Sequence, residues 1–317
     1  MHTYSLPMTT RFRGITAREG MVLHGPAGWG EFCPFAEYDD AEAAAWLAAA
    51  REAAGTGWPE PVRERVPVNC TVPAVSPEHA QRIVSASGCS TAKVKVAERG
   101  GAVSEDEARV AAVRDALGPS GRIRVDANGA WSSGAAVAAI ARLDAAAGGL
   151  EYVEQPCASV AELAAVRRAV DVPVAADESI RRAEDPLRVV RAEAADVVVL
   201  KVSPLGGVRR ALRIAEDCGL PVVVSSAVES SVGLAAGLAL AGALPELPYA
   251  CGLGTGSLLA TDVVADTDRL LPVGGSLPVP RRAPEPVRAG EAAAPPERDA
   301  WWRARYDRVA ALRTPHP

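Results

Sequence analysis

Short apolar runs alternate with longer stretches rich in Ala, Arg and Leu between about residues 63 and 260. Short runs that are rich in Val predict buried β-strands, and the longer stretches between them predict helices. The predicted strands cover residues 68–72, 92–96, 123–126, 152–154, 172–176, 197–202, 222–225 and 249–253. This alternation of strand and helix is typical of the α/β class.

Polar residues recur at the ends of five successive predicted strands. Asp126, Glu154, Asp177, Lys201 and Ser225 are separated by 28, 23, 24 and 24 residues. This period fits one strand, one helix and two loops, which predicts parallel strands. Eight such strands favour a closed (β/α) barrel over an open doubly wound sheet. A G-x-G-x-x-G motif after the first strand is absent from the sequence, which argues further against a dinucleotide-binding fold.

The two ends of the chain differ from this repeating region. Residues 1–62 contain a turn-rich segment at 25–31 and a helical pattern from about Asp40, which predicts a small α+β element. Residues 272–300 are rich in Pro, Gly, Ala and Arg, and a helical pattern follows at 299–312. We expect the aromatic residues Trp301, Trp302 and Tyr306 of that helix to pack against the body of the protein.

Composition excludes several classes of function. The 317 residues carry a net charge of −5, so we do not expect a nucleic-acid partner. The sequence contains no run of about 20 apolar residues without a charge, so we do not expect insertion into a membrane. The six cysteines form no C-x-x-C pair, which argues against zinc and against disulfides. Scattered cysteines suit a reducing compartment and the first residues lack a basic-then-apolar signal, so we expect a cytoplasmic location.

Lysine is rare in this chain and stands only in strand-like runs. Of 34 basic residues other than histidine, 31 are arginine, and the three lysines are Lys93, Lys95 and Lys201. An arginine cannot lose its proton in a protein, whereas a lysine can when burial or a nearby cation lowers its pKa. Three lysines retained at such positions indicate proton transfer rather than surface charge.

Lys93 and Lys95 occupy alternate positions of one predicted strand, so their side chains share one face. If Val94 and Val96 pack outward under the helices of a barrel, both lysines point into it. Repulsion between the two ammonium groups then lowers the pKa of at least one of them, as a general base requires.

The next three predicted strands end in Asp126, Glu154 and Asp177. In a parallel barrel these carboxylates would converge at the carboxyl-terminal rim, where their mutual repulsion calls for a cation. Oxygen-only ligation fits Mg²⁺ best, and Mn²⁺ is expected to substitute for it. Helix capping is the alternative role for any single acid of the set. Asn128 and Glu178 lie one or two residues beyond these acids and are expected to support them.

Lys201 lies near the end of the sixth predicted strand and so stands across the barrel mouth from Lys93 and Lys95, with the expected metal between them. This arrangement suits a small carboxylate substrate. The metal would hold the carboxylate while one lysine removes the proton on the adjacent carbon, giving an enediolate.

The order of these motifs resembles the enolase superfamily, in its muconate-lactonizing branch. The motifs are K-x-K, D-x-N, E-Q-P, D-E-S and a single Lys on consecutive strands. Within that branch, residues 12–15 (FRGI), 28–32 (GWGEF), 225–231 (SSAVESS) and 252–255 (GLGT) are similar to those of the o-succinylbenzoate synthases of menaquinone biosynthesis. The resemblance covers nearly the whole chain.

The resemblance implies a TIM-type (β/α)7β barrel with an α+β capping domain. Residues 1–62 would form the N-terminal part of the cap and residues 63–264 the barrel with the active site. Residues 265–317 would pack on both. The segment 18–29 would be a shortened loop over the barrel mouth, and we expect a monomer.

The resemblance also implies a role for each site residue. Lys95 would act as acid and base in a syn dehydration, Lys201 would stabilise the enediolate, and Lys93 would tune Lys95. These lysine and Mg²⁺ roles are properties of the superfamily. Asp126, Glu154 and Asp177 would bind Mg²⁺. The substrate would be 2-succinyl-6-hydroxy-2,4-cyclohexadiene-1-carboxylate, and the residues implied to contact it are Ser225, Ser226, Gly252 and Gly254.

Other activities fit parts of the pattern. Racemisation of N-acylamino acids would use the two opposed lysines equally well. Dipeptide epimerisation fits less well, because Gly252-Leu253-Gly254 stands where an Asp-x-Asp would hold the substrate amine. A Schiff-base aldolase with Lys201 as nucleophile would not need three acids at the rim. A binding protein with a decayed site is disfavoured by the intact set of six residues.

Overall fold

A computed structural model describes residues 1–181 and 185–312 of the chain. The last five residues of the segment 265–317 therefore lie outside the described residues.

The amino-terminal part is an antiparallel three-stranded sheet followed by a helix. The sheet consists of β1 (His2–Phe12), β2 (Ile15–Gly25) and β3 (Gly28–Phe32), and the helix is α1 (Asp40–Gly55). The side chain of Asp39 caps α1 by accepting a hydrogen bond from the amide of Glu42 at 2.8 Å.

Seven parallel strands form the sheet that follows, and they alternate with helices. The strands are β5 (Cys70–Val72), β6 (Thr91–Lys95), β7 (Arg122–Asp126), β8 (Tyr152–Glu154), β9 (Val174–Ala176), β10 (Val197–Leu200) and β11 (Val222–Val224). Each strand pairs with the next in the order of the chain. The intervening helices are α2 (Pro77–Ser87), α3 (Val103–Leu117), α4 (Ser133–Ala147), α5 (Val160–Arg167), α6 (Glu178–Arg181), α7 (Arg188–Arg191), α8 (Val202–Leu205) and α9 (Val208–Cys218), and α10 (Ser231–Ala243) follows β11.

The eighth barrel position is held by a short bridge rather than by a regular strand. Cys251 forms a parallel bridge with Val68, and Gly252 forms one with Ser225, so this segment joins both edges of the seven-stranded sheet. The predicted strand at 249–253 is thus reduced to these bridging residues. The reason lies next to them, because a 3-10 helix begins at Gly254 and ends the extended backbone. The barrel predicted from the sequence is confirmed.

Small apolar side chains fill part of the inside of the barrel, beside the buried guanidinium of Arg124. Ala175, Val197, Val199 and Val223 pack there with Tyr152. Successive residues of a strand face opposite sides, so Val198 and Val224 pack in the larger core between the strands and the surrounding helices. The low aromatic content of the sequence agrees with a barrel interior of this kind.

The carboxyl-terminal part contacts both the strand that precedes the barrel and the amino-terminal sheet. Strand β12 (Ser276–Pro278) pairs antiparallel with β4 (Arg65–Pro67), which precedes the barrel. Helix α11 (Pro296–Ala311) packs on the amino-terminal sheet, where Trp302 and Tyr306 meet the ring of Phe32 edge-on at 6.0 and 6.1 Å between centroids. The packing role predicted for these aromatic residues is confirmed, whereas the three domain bounds stay a prediction.

The segment 18–29 is not a loop over the barrel mouth, and that prediction is wrong. Residues 18–25 belong to β2, and the hairpin that follows packs on α1 through the hydrogen bond from the amide of Ala27 to the carbonyl of Ala54. The antiparallel ladder from Met21–Phe32 to Gly25–Gly28 holds this segment extended. The turn between β1 and β2 lies beside the barrel site instead, because the ring of Phe12 is 5.5 Å from Nζ of Lys95.

In the described part of the chain, none of the helices has the length and apolar character needed to cross a membrane.

The sheet and α1 approach so closely that a side chain at Gly30 has no room. A Cβ atom placed there would lie 2.0 Å from the carbonyl oxygen of Ala50. We expect Gly30→Ala to lower the free energy of unfolding by about 1–3 kcal/mol, because the backbone of α1 must shift. Urea unfolding followed by circular dichroism measures this change. Gly55→Ala is the matched control at the end of α1, where nothing lies within 4 Å, and an equal loss in both variants would contradict the explanation.

Candidate active site

The parallel register brings the predicted site residues to one end of the barrel. Lys95 pairs with Asp126 across β6 and β7, and Asp126 pairs with Glu154 across β7 and β8. Asp177 follows β9 directly, and Lys201 follows β10 directly. Since β6 and β10 are four positions apart in an eight-membered barrel, Lys201 lies across the mouth from Lys95.

Each of the three carboxylates is bound by a lysine in this structure. Lys95 Nζ lies 2.5 Å from Oδ2 of Asp126, and Lys201 Nζ lies 2.6 Å from Oδ2 of Asp177. Lys93 Nζ donates to both carboxylate oxygens of Glu154 at 3.0 Å and lies 3.4 Å from Asp126. All six of the predicted lysines and acids therefore belong to one cluster.

The predicted strand at 197–202 ends two residues earlier in the structure. Strand β10 ends at Leu200, and Lys201 stands as the extended residue before α8. The strand ladder ends there because Leu200 is the last residue paired with β11. The side chain of Lys201 still reaches the site, where Asp177 binds it.

Burial and mutual repulsion govern the titration of the acids. Burial, followed by the charge of Asp126, raises the pKa of Glu154 to about 7. Burial would also raise the pKa of Asp177, but the charges of Arg181 and Lys201 outweigh it and lower that pKa to about 2. At Asp126, the charges of Lys95 and Lys93 likewise outweigh burial and hold the pKa well below its usual range.

The two lysines of β6 shift in opposite directions. The pKa of Lys95 is lowered, chiefly by burial, and the charge of Lys93 adds to this effect against the attraction of Asp126. Burial also opposes the charge on Lys93, but Glu154 and Asp126 more than offset it and raise its pKa. The lowered pKa predicted for one lysine is thus found at Lys95, with burial as a larger cause than the predicted repulsion.

The donor set fits a hard cation, although the lysines now occupy it. Three buried carboxylates repel one another, and one buried oxygen of Glu178, Oε2, has no hydrogen-bond partner among the described residues. Within the described residues 1–181 and 185–312, no group of His, Cys, Asp or Glu side chains is arranged to hold a metal ion. The ion pairs explain this, because a cation would have to compete with the ammonium groups for the same oxygens.

Supporting side chains hold the acids in place. Asn128 accepts a hydrogen bond from Lys95 Nζ at 2.6 Å and donates one to Oε1 of Glu178 at 3.1 Å. Arg181 donates to Asp177 at 2.9 Å and to Glu178 at 2.6 Å. Asn128 and Glu178 were predicted from the sequence, whereas Arg181 was not. The available signal was its spacing of four residues from Asp177 and three from Glu178.

Gln155 is a second supporting residue that the sequence argument missed. Its Oε1 accepts hydrogen bonds from the amides of Asp177 at 2.9 Å and Ser179 at 3.2 Å, and its Nε2 donates to the hydroxyl of Ser179 at 2.7 Å. The side chain thereby ties the end of β8 to the turn that carries Asp177. Its place inside the E-Q-P motif was the available signal.

The wall beyond β11 is built by a buried hydrogen-bond network. Glu229 accepts from the hydroxyls of Ser226 and Ser203 at 2.7 and 3.2 Å, and Ser226 Oγ lies 2.7 Å from that of Thr255. Ser225 and Gly252 are bridge partners at the ends of the seventh and eighth strand positions. A Cβ atom at Gly254 would lie 2.5 Å from the carbonyl oxygen of Asn69. Ser226 therefore takes part in the hydrogen-bond network, and Gly254 packs closely against the backbone of Asn69. The substrate contacts predicted for both residues stay a prediction.

The amino-terminal sheet fixes this wall from outside the barrel. Arg18 donates to the carbonyl oxygen of Val228 at 3.1 Å, and Val228 has a φ of +62°, which is strained for a β-branched residue. Glu31 accepts from the amides of Ser230 and Gly233 at 3.1 and 2.7 Å at the start of α10. The amino-terminal sheet thus stabilises the site mainly through hydrogen bonds to the backbone of barrel residues.

Comparisons with known proteins agree with this architecture. The family described as "Enolase C-terminal domain-like" matches residues 76–284, and "Enolase N-terminal domain-like" matches residues 3–54. Among solved structures, the chain is similar to the L-Ala-D/L-Glu epimerase from Bacillus subtilis, with a TM-score of 0.75 and 23% identity over 89% of this chain and 95% of that one. It is also similar to the muconate lactonizing enzyme from Pseudomonas putida, with a TM-score of 0.73 and 20% identity over 92% and 98% of the two chains. At these identities the likeness shows the fold alone.

Curated relatives are much more similar in sequence. The o-succinylbenzoate synthase of Thermobifida fusca (strain YX) is 67% identical over 95% of this chain and 93% of its own length. The o-succinylbenzoate synthase of Mycolicibacterium smegmatis (strain ATCC 700084 / mc(2)155) is 56% identical over 98% of this chain and 94% of its own length. With two lysine-bearing walls around three buried carboxylates and relatives of this identity, the chain belongs to the enolase superfamily and, within it, to the o-succinylbenzoate synthases.

Proposed function

We propose that the chain is a lyase that dehydrates 2-succinyl-6-hydroxy-2,4-cyclohexadiene-1-carboxylate to 2-succinylbenzoate. One observation carries the proposal. Lys95 and Lys201 face each other across three buried carboxylates in a chain that is 67% identical to an o-succinylbenzoate synthase. The product is a menaquinone precursor, so we assign the reaction to menaquinone biosynthesis in the cytoplasm. The partner is a small carboxylate, with no nucleic acid or membrane needed, and a monomer holds the whole site.

We assign Mg²⁺ as the cofactor and Asp126, Glu154 and Asp177 as the residues that would hold it, with Mn²⁺ as a substitute. Their oxygen donors are those a hard dication prefers. When bound, the ion supplies positive charge to the substrate carboxylate, whose adjacent proton is otherwise far too weakly acidic to remove.

Lys95 is the proposed acid and base. In its neutral form Nζ takes the proton from the carbon that bears the carboxylate, which leaves an enediolate. The resulting ammonium group then gives that proton to the departing hydroxyl group, so that water leaves from the same face and the ring becomes aromatic. The lowered pKa of Lys95 favours the neutral form that the first step needs.

Lys201 and Lys93 have proposed roles as fixed charges. Lys201, on the far side of the mouth, stabilises the enediolate through electrostatic and cation–π contact with the substrate ring. Lys93 stays protonated, in agreement with its raised pKa, and helps to keep Lys95 neutral by its charge. Ser225, Ser226, Gly252 and Gly254 are proposed to line the succinyl side of the substrate.

Racemisation of an N-acylamino acid is the second candidate. The observation that favours it is the placement of Lys95 and Lys201 on opposite sides of the mouth, which suits removal of a proton on one face and its return on the other.

A direct assay tests the main proposal and its metal. With Mg²⁺ present, we expect the purified protein to convert the hydroxycyclohexadiene carboxylate to 2-succinylbenzoate, seen by absorbance and mass spectrometry. EDTA should abolish turnover and added Mg²⁺ or Mn²⁺ should restore it, because lysine charges alone do not replace a dication. No product with Mg²⁺ would refute the dehydration. Racemisation of N-succinyl amino acids in the same preparation would support the second candidate.

Replacing the proposed base tests the chemistry. We expect Lys95→Arg to lower kcat by roughly 10²–10⁴-fold, because arginine keeps the positive charge but cannot accept a proton. Arg142→Lys is the matched control, since it exchanges the same two residue types at an exposed ion pair with Glu107. Steady-state kinetics measures both variants, and circular dichroism checks that they fold. A Lys95→Arg enzyme with the parent kcat would rule out Lys95 as the base.

A further inference from the structure

Helix α3 carries a buried ion pair whose partners reach the strand that holds Lys95. Asp106 and Arg109 are only 5% and 6% exposed, and Arg109 Nη1 lies 2.7 Å from Oδ1 of Asp106. A buried pair costs desolvation energy that its attraction repays only when the geometry and further hydrogen bonds are good. The other contacts of these two side chains therefore indicate what the pair does.

Arg109 joins the ends of two neighbouring barrel strands. Its Nη1 donates to the carbonyl oxygen of Lys95 at 3.0 Å, and its Nε donates to the carbonyl oxygen of Val75 at 2.7 Å. Val75 lies just after β5, whereas Lys95 is the last residue of β6. The planar guanidinium can bind two carbonyl groups and a carboxylate at once, which the ammonium group of a lysine cannot do in the same fixed geometry.

Asp106 holds the backbone immediately after Lys95. Its Oδ2 accepts a hydrogen bond from the amide of Ala97 at 2.8 Å. Ala97 has a φ of +59°, in the left-handed region that a residue with a Cβ atom rarely adopts. The strand thus turns sharply two residues beyond Lys95, and the carboxylate of Asp106 holds that turn.

We propose that Asp106 and Arg109 are positioning residues that fix the backbone of Lys95 so that Nζ meets the substrate proton. The inference rests on the role proposed above for Lys95. The ladder with β7 holds one side of Lys95, through the pairing with Asp126, and the α3 pair holds its carbonyl group and the turn that follows. A displacement of about 1 Å at a reacting group can cost roughly 100-fold in rate, so a clamp at this point bears directly on proton transfer.

Two variants on α3 test the clamp, and a third is their control. Arg109→Lys keeps the charge opposite Asp106 but loses the fork that binds both carbonyl groups. Asp106→Asn keeps the shape but cannot accept from Arg109 and Ala97 equally well. Glu107 also lies on α3, and Glu107→Gln removes its exposed ion pair with Arg142 of α4 without touching either strand end.

We expect kcat of Arg109→Lys and Asp106→Asn to fall by about 10–100-fold with KM within threefold of the parent, whereas Glu107→Gln keeps both constants. A purely structural role would lower the active fraction of the enzyme without changing the chemical step. We therefore also measure the primary isotope effect with substrate deuterated at the carbon that loses its proton. It should rise in the two clamp variants, because proton removal becomes more rate-limiting, and stay unchanged in the control.

Crystal structures of Arg109→Lys and Asp106→Asn give a readout that does not depend on turnover. We expect Lys95 Nζ to move away from Oδ2 of Asp126, which it contacts at 2.5 Å here. A parent enzyme without dehydratase activity would refute the proposed function, and the position of Lys95 in these crystals would then decide the clamp alone. Folded variants with an unmoved Lys95 would overturn the inference, as would folded variants with the parent kcat and isotope effect.

Discussion

The compensation of three buried carboxylates by buried cations is the interaction on which the rest of the structure depends. Asp126, Glu154 and Asp177 are each at most 1% exposed, and an unpaired charge at such a site would cost several kcal/mol. Lys93, Lys95 and Lys201 supply the opposite charges from both sides of the mouth. Because the pairs meet only when the strands are in register, the charges penalise any shift of one strand against the next.

The same compensation suits the metal and the substrate proposed for this site. A dication that takes over the carboxylate oxygens would leave the ammonium groups without their present partners, and a substrate carboxylate offers them a new one. The supporting residues keep the oxygens convergent in either state, since Gln155 ties the Asp177 turn to β8 and Arg181 binds Asp177 from the other side. Rigid support of this kind lets charges exchange partners without a large movement of the backbone.

The sequence predicts the repeating part of this molecule well and its boundaries less well. The spacing of 23 to 28 residues and the K-x-K alternation depend on local periodicity, and both the barrel and the six clustered charges follow from them. The end of β10 before Lys201 and the bridge at Cys251 depend on hydrogen bonds between distant parts of the chain. Local patterns cannot show such partners. For the same reason, the sequence pattern identifies Arg109 only as a helix residue, and its contact with the backbone of Lys95 is found only in the structure.

The scarcity of lysine takes on a more specific meaning in this structure. Two lysines on the same face of one strand, two residues apart, acquire opposite pKa shifts because their neighbours differ. Lys93 lies between Glu154 and Asp126, whose attraction outweighs burial and holds it charged, whereas Lys95 has Asp126 alone as a close acidic partner and burial outweighs the attraction. Arginine would have stayed charged at both positions. For the proton transfer proposed above, position 95 therefore requires lysine. At positions 93 and 201 the stronger constraint is that a compact ammonium group fits between buried acids.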